Sequence, residues 1–145
     1  MGTAGDIVRT LFGDYERGIE APDPELISSL YGDSLVLAGP QGAQVVRKDD
    51  LLRALPRGQE FFKTAGLASS RLRSLEETRL DDHYVMVKAY WDMRFAKGPG
   101  EPIVVETSAT YVLHRRGDRL RIVFQLDQQD LMERVQDLGL LPAKE

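Results

Sequence analysis

The chain contains no cysteine and only two histidines among its 145 residues. Without cysteine there is no disulfide framework, no thiol nucleophile and no thiolate metal site. Two histidines, His83 and His114, are too few for a histidine-rich metal cluster. We therefore predict a domain that is stabilised by its own hydrophobic core and needs no metal and no cofactor.

The sequence also lacks any apolar run of about 18–20 residues, the length that crosses a membrane. Its N-terminus has neither the basic start nor the apolar segment of a secretory signal. The formal net charge is −4, so the chain as a whole has no attraction for phosphate backbones. These absences predict a cytoplasmic protein that binds neither membranes nor nucleic acid.

What is present is ordinary for a globular domain, with 42% hydrophobic and 29% charged residues. We expect one domain over residues 1–145, with flexible ends at 1–5 and 143–145. The first thirty residues have the periodicity of two amphipathic helices. Glu16 falls on the wet side of the first helix. The apolar stripe of that helix consists of Ile7, Val8, Leu11, Phe12, Tyr15 and Ile19.

The second helix is marked at both ends. Asp23 can cap free amides, Pro24 suits the first helical position, and Gly32 is expected to end the helix after Tyr31. A short strand over 34–38 follows, and the turn 39–42 leads to a return strand.

A third helix is expected from about Lys48 to a break at Pro56. From Ser70 onward the apolar period changes from 3.6 to 2, which indicates a meander of strands over 84–95, 103–113 and 120–126. A last helix spans 130–142, with Gly139 as its C-terminal cap. Its buried side is expected to carry Leu131, Val135 and Leu138.

Helices first and an antiparallel meander second predict an α+β fold. Tyr15, Tyr31 and the turn Gly39-Pro40-Gln41-Gly42 stand at spacings that resemble the nuclear-transport-factor-two-like superfamily. Asp130 followed by Leu138-Gly139 is similar to the closing segment of its SnoaL-like members. The resemblance implies a cone-shaped, curved antiparallel sheet wrapped around N-terminal helices and enclosing a pocket.

The superfamily also includes ketosteroid isomerases, whose acids are missing from this chain. The resemblance places Tyr15 at the position of the tyrosine that stabilises the enolate oxygen. The general base would fall at Gly39, and the second oxyanion donor at Ala109 or Thr110. None of these three is an acid, so ketosteroid isomerisation is disfavoured.

SnoaL-like cyclases need an acidic residue as general acid/base. The candidate catalytic residues are Tyr15 and two carboxylates, Glu106 and Asp127. Alternation in the last strand places Leu126 inward, with Gln125 and Asp127 outward. Glu106 lies on the face of its strand opposite to that of Val105 and Thr107, which is the outer face. A β-bulge that turned its side chain inward would make it the preferred acid.

The predicted inner face is rich in aromatic residues. An apolar cavity with few polar anchors is the usual composition of a small-ligand site, although a plain core explains the same residues. We therefore predict binding of a small, mostly apolar molecule, with a SnoaL-like cyclase or isomerase as one alternative and a non-catalytic interaction module with a filled cone as the other. The expected lining residues are Tyr15, Tyr31, Trp91, Tyr111 and Phe124.

Two patches are expected on the outer surface. Tyr84, Met86 and Tyr90 are apolar or aromatic where the sheet should meet water, and the resemblance implies a homodimer through this face. The arginines of 115–121 form a basic spot at a hairpin. We interpret it as a solvated strand face balanced by Asp118 rather than a phosphate site.

Overall fold

A computed structural model describes residues 5–20, 23–96, 99–127 and 131–139. Within these residues the chain forms four helices and six strands, in the predicted α+β order. No described helix combines the length and the apolar character that crossing a membrane would require. The helices are α1 (Asp6–Glu20), α2 (Pro24–Leu30), α3 (Lys48–Thr64) and α4 (Leu131–Asp137).

The strands form one curved, unclosed sheet in the order β2-β1-β6-β5-β4-β3. Neighbouring strands are antiparallel except β1 and β6, which run parallel. The predicted curved sheet with its antiparallel meander is therefore confirmed, and the pairing of β1 with β6 adds one parallel neighbour. The strands are β1 (Tyr31–Gly39), β2 (Gly42–Arg47), β3 (Leu67–Arg79), β4 (Tyr84–Phe95), β5 (Ile103–Arg116) and β6 (Arg119–Asp127).

Two apolar clusters cover the inner face of the sheet. The larger cluster joins α1 and α2 to the middle of β4 and β5, with Phe12 and Leu113 fully buried. The smaller cluster lies toward α3 and α4, where Phe95 and Val105 pack with Val135. Burial alternates strictly along β4 and β5, as the period-2 pattern predicts.

The predicted cap of the second helix is present, but the helix is shorter than expected. Asp23 accepts a hydrogen bond from the Leu26 amide at 3.2 Å, and Pro24 is the first helical residue. The helix ends at Leu30, so Tyr31 opens β1 and Gly32 belongs to the strand. Tyr31 has extended dihedrals, which turn its side chain from the helix stripe into the sheet.

Two further expectations are corrected. The third helix does not break at Pro56 but continues to Thr64, with Pro56 inside it. Leu138 is 41% exposed rather than buried beside Val135. Asp130 and Pro142 lie outside the described residues, whereas Gly139 has the positive φ of +71° expected of a C-terminal cap.

Glu16 connects the first helix to the sheet instead of lying in solvent. The register of β3 and β4 shifts between Leu72 and Ser74. Glu16 Oε2 accepts a hydrogen bond from the Leu72 amide at 2.6 Å, beside this bulge. Leu72 is also the cross-strand partner of Trp91, so this contact fixes α1 above the part of the sheet that carries the tryptophan.

Candidate functional site

The predicted aromatic residues meet on the inner face. Tyr15 on α1 lies with its ring centroid 5.7 Å from Trp91, 6.0 Å from Tyr111 and 6.3 Å from Tyr31. Trp91 and Tyr111 lie on adjacent strands and, like Tyr31, are almost completely buried. The prediction that these four side chains face inward is therefore confirmed.

A chain of polar groups leads from these phenols toward solvent. The Tyr31 hydroxyl is 3.3 Å from the Tyr15 hydroxyl and donates to Gln125 Oε1 at 2.8 Å. Gln125 Nε2 in turn donates to Asp127 Oδ1 at 3.3 Å. Because the carboxylate can only accept, it fixes which side of the Gln125 amide carries nitrogen. The buried tyrosines are thus connected to Asp127, which is exposed at its outer end.

Gln125 and Asp127 face inward because β6 contains a bulge. In the register of β5 and β6, Leu113 pairs with Ile122 and Val112 with Phe124, so Val123 is the extra residue. Beyond it every side chain changes face, and Gln125 pairs with the inward Tyr111. The outward placement of Gln125 and Asp127 is therefore wrong.

Because of the same bulge, two other expectations for β6 are wrong. Phe124 pairs with Val112, which lies on the face opposite Tyr111, so Phe124 does not join the inner aromatic residues. Leu126 pairs with Thr110 and is likewise on the outer face rather than inward. The sequence gives no signal of the bulge, because simple alternation places Gln125 and Asp127 outward, where polar residues are expected anyway.

Tyr31 is held in place by the start of α3. Lys48 Nζ donates to the backbone oxygens of Ser28 at 3.1 Å and Tyr31 at 3.3 Å. It also lies 3.8 Å from the carboxylate of Asp33. This cation satisfies carbonyls at the C-terminal end of α2, where the helix dipole favours positive charge. The junction between α2 and β1 is thereby fixed beside the phenols.

Burial keeps the phenols protonated. Desolvation raises the pKa of Tyr15, and it raises the pKa values of Tyr31 and Tyr111 well above the ordinary value for tyrosine. The charge of Asp127 acts in the same direction on all three pKa values. These groups therefore act as neutral hydrogen-bond donors over the physiological pH range.

Asp127 is shifted toward holding a proton. Desolvation raises the pKa of its carboxyl, and the hydrogen bond from Gln125 partly opposes this shift. The residue nevertheless keeps an exposed edge. A carboxyl with a raised pKa and access to water can exchange protons with the solvent, and its hydrogen bond to Gln125 connects it to the buried phenols without a proton transfer.

Two buried hydroxyl groups extend the polar part of the inner face. Thr107 pairs with Trp91 and Ser70 pairs with Met93, and both residues are 8% exposed. Neither hydroxyl has a hydrogen-bond partner among the residues that the structure describes. Sequence alternation already places Thr107 inward, which is the one available signal. We name Ser70, Thr107, Gln125 and Asp127 the polar belt, because they lie between the two apolar clusters.

Asp127 lies beside the positions where the resemblance implies acids. It is the cross-strand partner of Ala109. A Cβ atom built on Gly39 would be 3.8 Å from the Asp127 backbone oxygen. A carboxylate-bearing residue therefore lies on β6, the strand between β1 and β5, next to both of these positions.

Glu106, the other candidate acid, is not part of this site. It pairs with Asp92 and is exposed on the outer face, because the register of β4 and β5 contains no shift. Among the described residues no group of three or more His, Cys, Asp or Glu side chains is arranged to hold a metal ion.

Several solved structures share the fold at low sequence identity. An NTF2-like protein of unknown function from Shewanella oneidensis is 17% identical, with a TM-score of 0.68 over 86% of this chain and 98% of its own. An NTF2-like protein with a cystatin-like fold from Novosphingobium aromaticivorans is 12% identical, with a TM-score of 0.69 over 90% and 86%. Aln2 from a Streptomyces species is 15% identical, with a TM-score of 0.66 over 88% and 91%.

A comparison with curated protein sequences gives no match. The sequence profile of one family does match, over residues 5–129, which include β1 to β6, both tyrosines of the first third of the chain and the carboxylate at the end of β6. The fold, the sheet topology and this match agree, and the chain belongs to the NTF2-like protein family DUF6841.

Proposed function

We propose that the inner face binds a small, mostly apolar molecule that carries at least one oxygen able to hydrogen-bond. The observation that carries this proposal is the polar belt between two apolar clusters. Buried polar groups normally find a hydrogen-bond partner, yet the hydroxyls of Ser70 and Thr107 have none among the described residues. A ligand oxygen would supply that partner.

The aromatic residues suit the apolar part of such a ligand. Trp91 and Tyr15 lie in contact above the sheet, and Tyr15 is the least buried of the inward phenols. The rings of Trp and Tyr present large apolar surfaces, and their N–H and O–H groups can form hydrogen bonds that orient a ligand. Tyr15 is therefore the best-placed phenol to reach a ligand, with Tyr31 and Tyr111 behind it.

A fluorescence screen tests this proposal, because Trp91 is the only tryptophan. We expect ligands of this class to change its emission and to saturate. Tyr15→Phe should weaken their binding by on the order of 2- to 10-fold, the effect of one hydrogen bond. The matched control is Tyr84→Phe on the outer face, which should leave affinity unchanged. Equal affinities for the wild type and Tyr15→Phe would identify Tyr15 as a core residue only.

A second candidate function is acid/base catalysis, which the position of Asp127 favours. Its carboxylate would take a proton from the carbon next to a ligand carbonyl, and the C–H electrons would form the enol double bond. Tyr15 would donate a hydrogen bond to the oxygen that gains negative charge. Return of the proton to a different carbon of an unsaturated ligand would complete an isomerisation. In a ring closure the enolate carbon would instead attack a second carbonyl of the ligand, and the proton would go to the oxygen of that carbonyl.

Deuterium exchange provides a test that does not require the natural substrate. Cyclic ketones that saturate the Trp91 signal are incubated with the protein in D₂O, and loss of the α-protons is followed by NMR. Asp127→Asn should slow the catalysed exchange by about 10²-fold or more, the usual contribution of a general base. Glu106→Gln is the control and should exchange at the wild-type rate. Exchange no faster than in buffer alone would leave binding as the function.

We also propose a homodimer through the outer face of the sheet. Tyr84 and Val104 are 39% and 43% exposed there, and Met86 lies between Thr78 and Val112 in the register. The surroundings of Tyr90 are more polar than the sequence predicts. It donates to Glu76 at 2.8 Å and lies beneath the cations of Arg73 and Lys88.

Sedimentation velocity tests the dimer. Met86→Lys would place an unpaired charge in the centre of the proposed interface, at a cost on the order of several kcal/mol, and Tyr90→Glu would remove an aromatic ring from it. The double variant should sediment as a monomer, whereas the wild type sediments as a dimer. Val45→Lys on β2, where Val45 is 75% exposed, is the control and should remain dimeric. A wild type that is monomeric at micromolar concentration contradicts this proposal.

A further inference from the structure

The hairpin between β5 and β6 carries basic side chains in two directly opposed pairs. His114 pairs with Arg121 and Arg116 pairs with Arg119. Residues two apart on a strand share a face, so all four side chains project from the outer face of this hairpin. Like charges directly opposite each other destabilise a strand pair. The opposed charges of Arg116 and Arg119 therefore disfavour the strand pairing locally unless another group offsets the repulsion.

No carboxylate of this chain provides that offset within the described residues. Arg116, Arg119 and Arg121 form no ion pair with any of them. Asp118, the expected counter-charge, lines a different pocket, together with Asp6 and other residues of α1. Among the described residues Asp118 therefore forms no ion pair with these arginines, whereas their predicted place on an outward strand face is confirmed.

Arg115, in contrast to these three arginines, has a structural role at this turn. Its amide donates to the His83 oxygen at 2.7 Å, and its Nε donates to the Gly117 oxygen at 3.0 Å. These bonds close the hairpin and connect it to the loop before β4. The three other arginines have no comparable role in the fold.

The four basic side chains enclose a pocket of about 380 Å³, which His114, Arg116, Arg119 and Arg121 line. The ring of His114 is positioned by the ring of Tyr84, 5.1 Å away. Guanidinium groups bind phosphate oxygens through paired N–H donors and remain charged at all physiological pH values. We propose that this pocket binds a small multivalent oxyanion of the phosphate ester or pyrophosphate class.

The size and charge of the surroundings favour a small anion over a polymer. The arginines of the pocket lie within one hairpin, and the net charge of the chain is −4. A nucleic acid or an anionic membrane would need a wider basic surface. The pocket is on the opposite face of the sheet from the polar belt, so this proposal does not depend on ligand binding at the inner face. His114 contacts Tyr84, so the pocket lies at the edge of the proposed dimer surface.

Isothermal titration calorimetry with inorganic pyrophosphate at low ionic strength tests the proposal. We expect saturable binding with one site per chain, which orthophosphate weakens by competition and added salt weakens by screening. Arg116→Gln with Arg119→Gln should reduce affinity at least about tenfold, since each removes a charged hydrogen-bond donor. Arg9→Gln with Arg57→Gln is the control, because it changes the net charge equally with exposed arginines elsewhere.

Three results would overturn the proposal. The first is absence of saturable binding at millimolar pyrophosphate, and the second is an equal loss of affinity in the control pair, which would indicate a general charge effect. The third comes from parallel titrations with a single-stranded oligonucleotide and with phosphatidylserine vesicles. Binding of either one that depends on Arg116 and Arg119, and that pyrophosphate does not displace, would assign the arginines to a macromolecular surface. Circular dichroism of each variant verifies that it is folded.

Discussion

One extra residue in β6 determines which chemistry the inner face can perform. Val123 has no partner on β5, and the change of parity beyond it brings Gln125 and Asp127 to the inside. The parallel neighbour β1 accommodates the bulge with Gly32, since a Cβ there would lie 3.2 Å from Val123 Cγ1. Without the bulge, Phe124 and Leu126 would point inward in place of Gln125 and Asp127, and the inner face would have no carboxylate at this position.

The bulge also explains why the phenols are connected to solvent. Tyr31 and Tyr111 are buried deeply enough to require hydrogen-bond partners, and Gln125 provides one for Tyr31 at 2.8 Å. A chain of hydrogen bonds in a low dielectric is stronger than its separate members, and a half-satisfied chain is costly. The path from Tyr31 through Gln125 to Asp127 therefore makes the site both rigid and able to exchange a proton at its outer end.

The sequence predicted the features that depend on neighbouring residues. It did not predict the features that depend on contacts with residues far away in the chain. Asp23 with Pro24 marked the start of α2, and strict alternation placed Trp91 and Tyr111 inward, because caps and strand parity act within a few residues. The bulge at Val123 could not be predicted, since it depends on Gly32 of a strand about ninety residues away in the chain. Glu16 was assigned to solvent because the amide that it binds belongs to β3.

The central claim is that the bulge turns the Asp127 carboxyl toward the inner face of the sheet, where its surroundings disfavour the charged form, and pH-dependent stability tests it directly. Burial raises the pKa of this carboxyl in the folded state above its unfolded value. Below the unfolded pKa the group is neutral in both states, and as pH rises through the folded pKa the native state loses stability. The free energy of unfolding of Asp127→Asn relative to the wild type should therefore increase between about pH 3 and 7 and then level off. A difference that is independent of pH, or that falls as pH rises, would contradict the account and return Asp127 to the solvent.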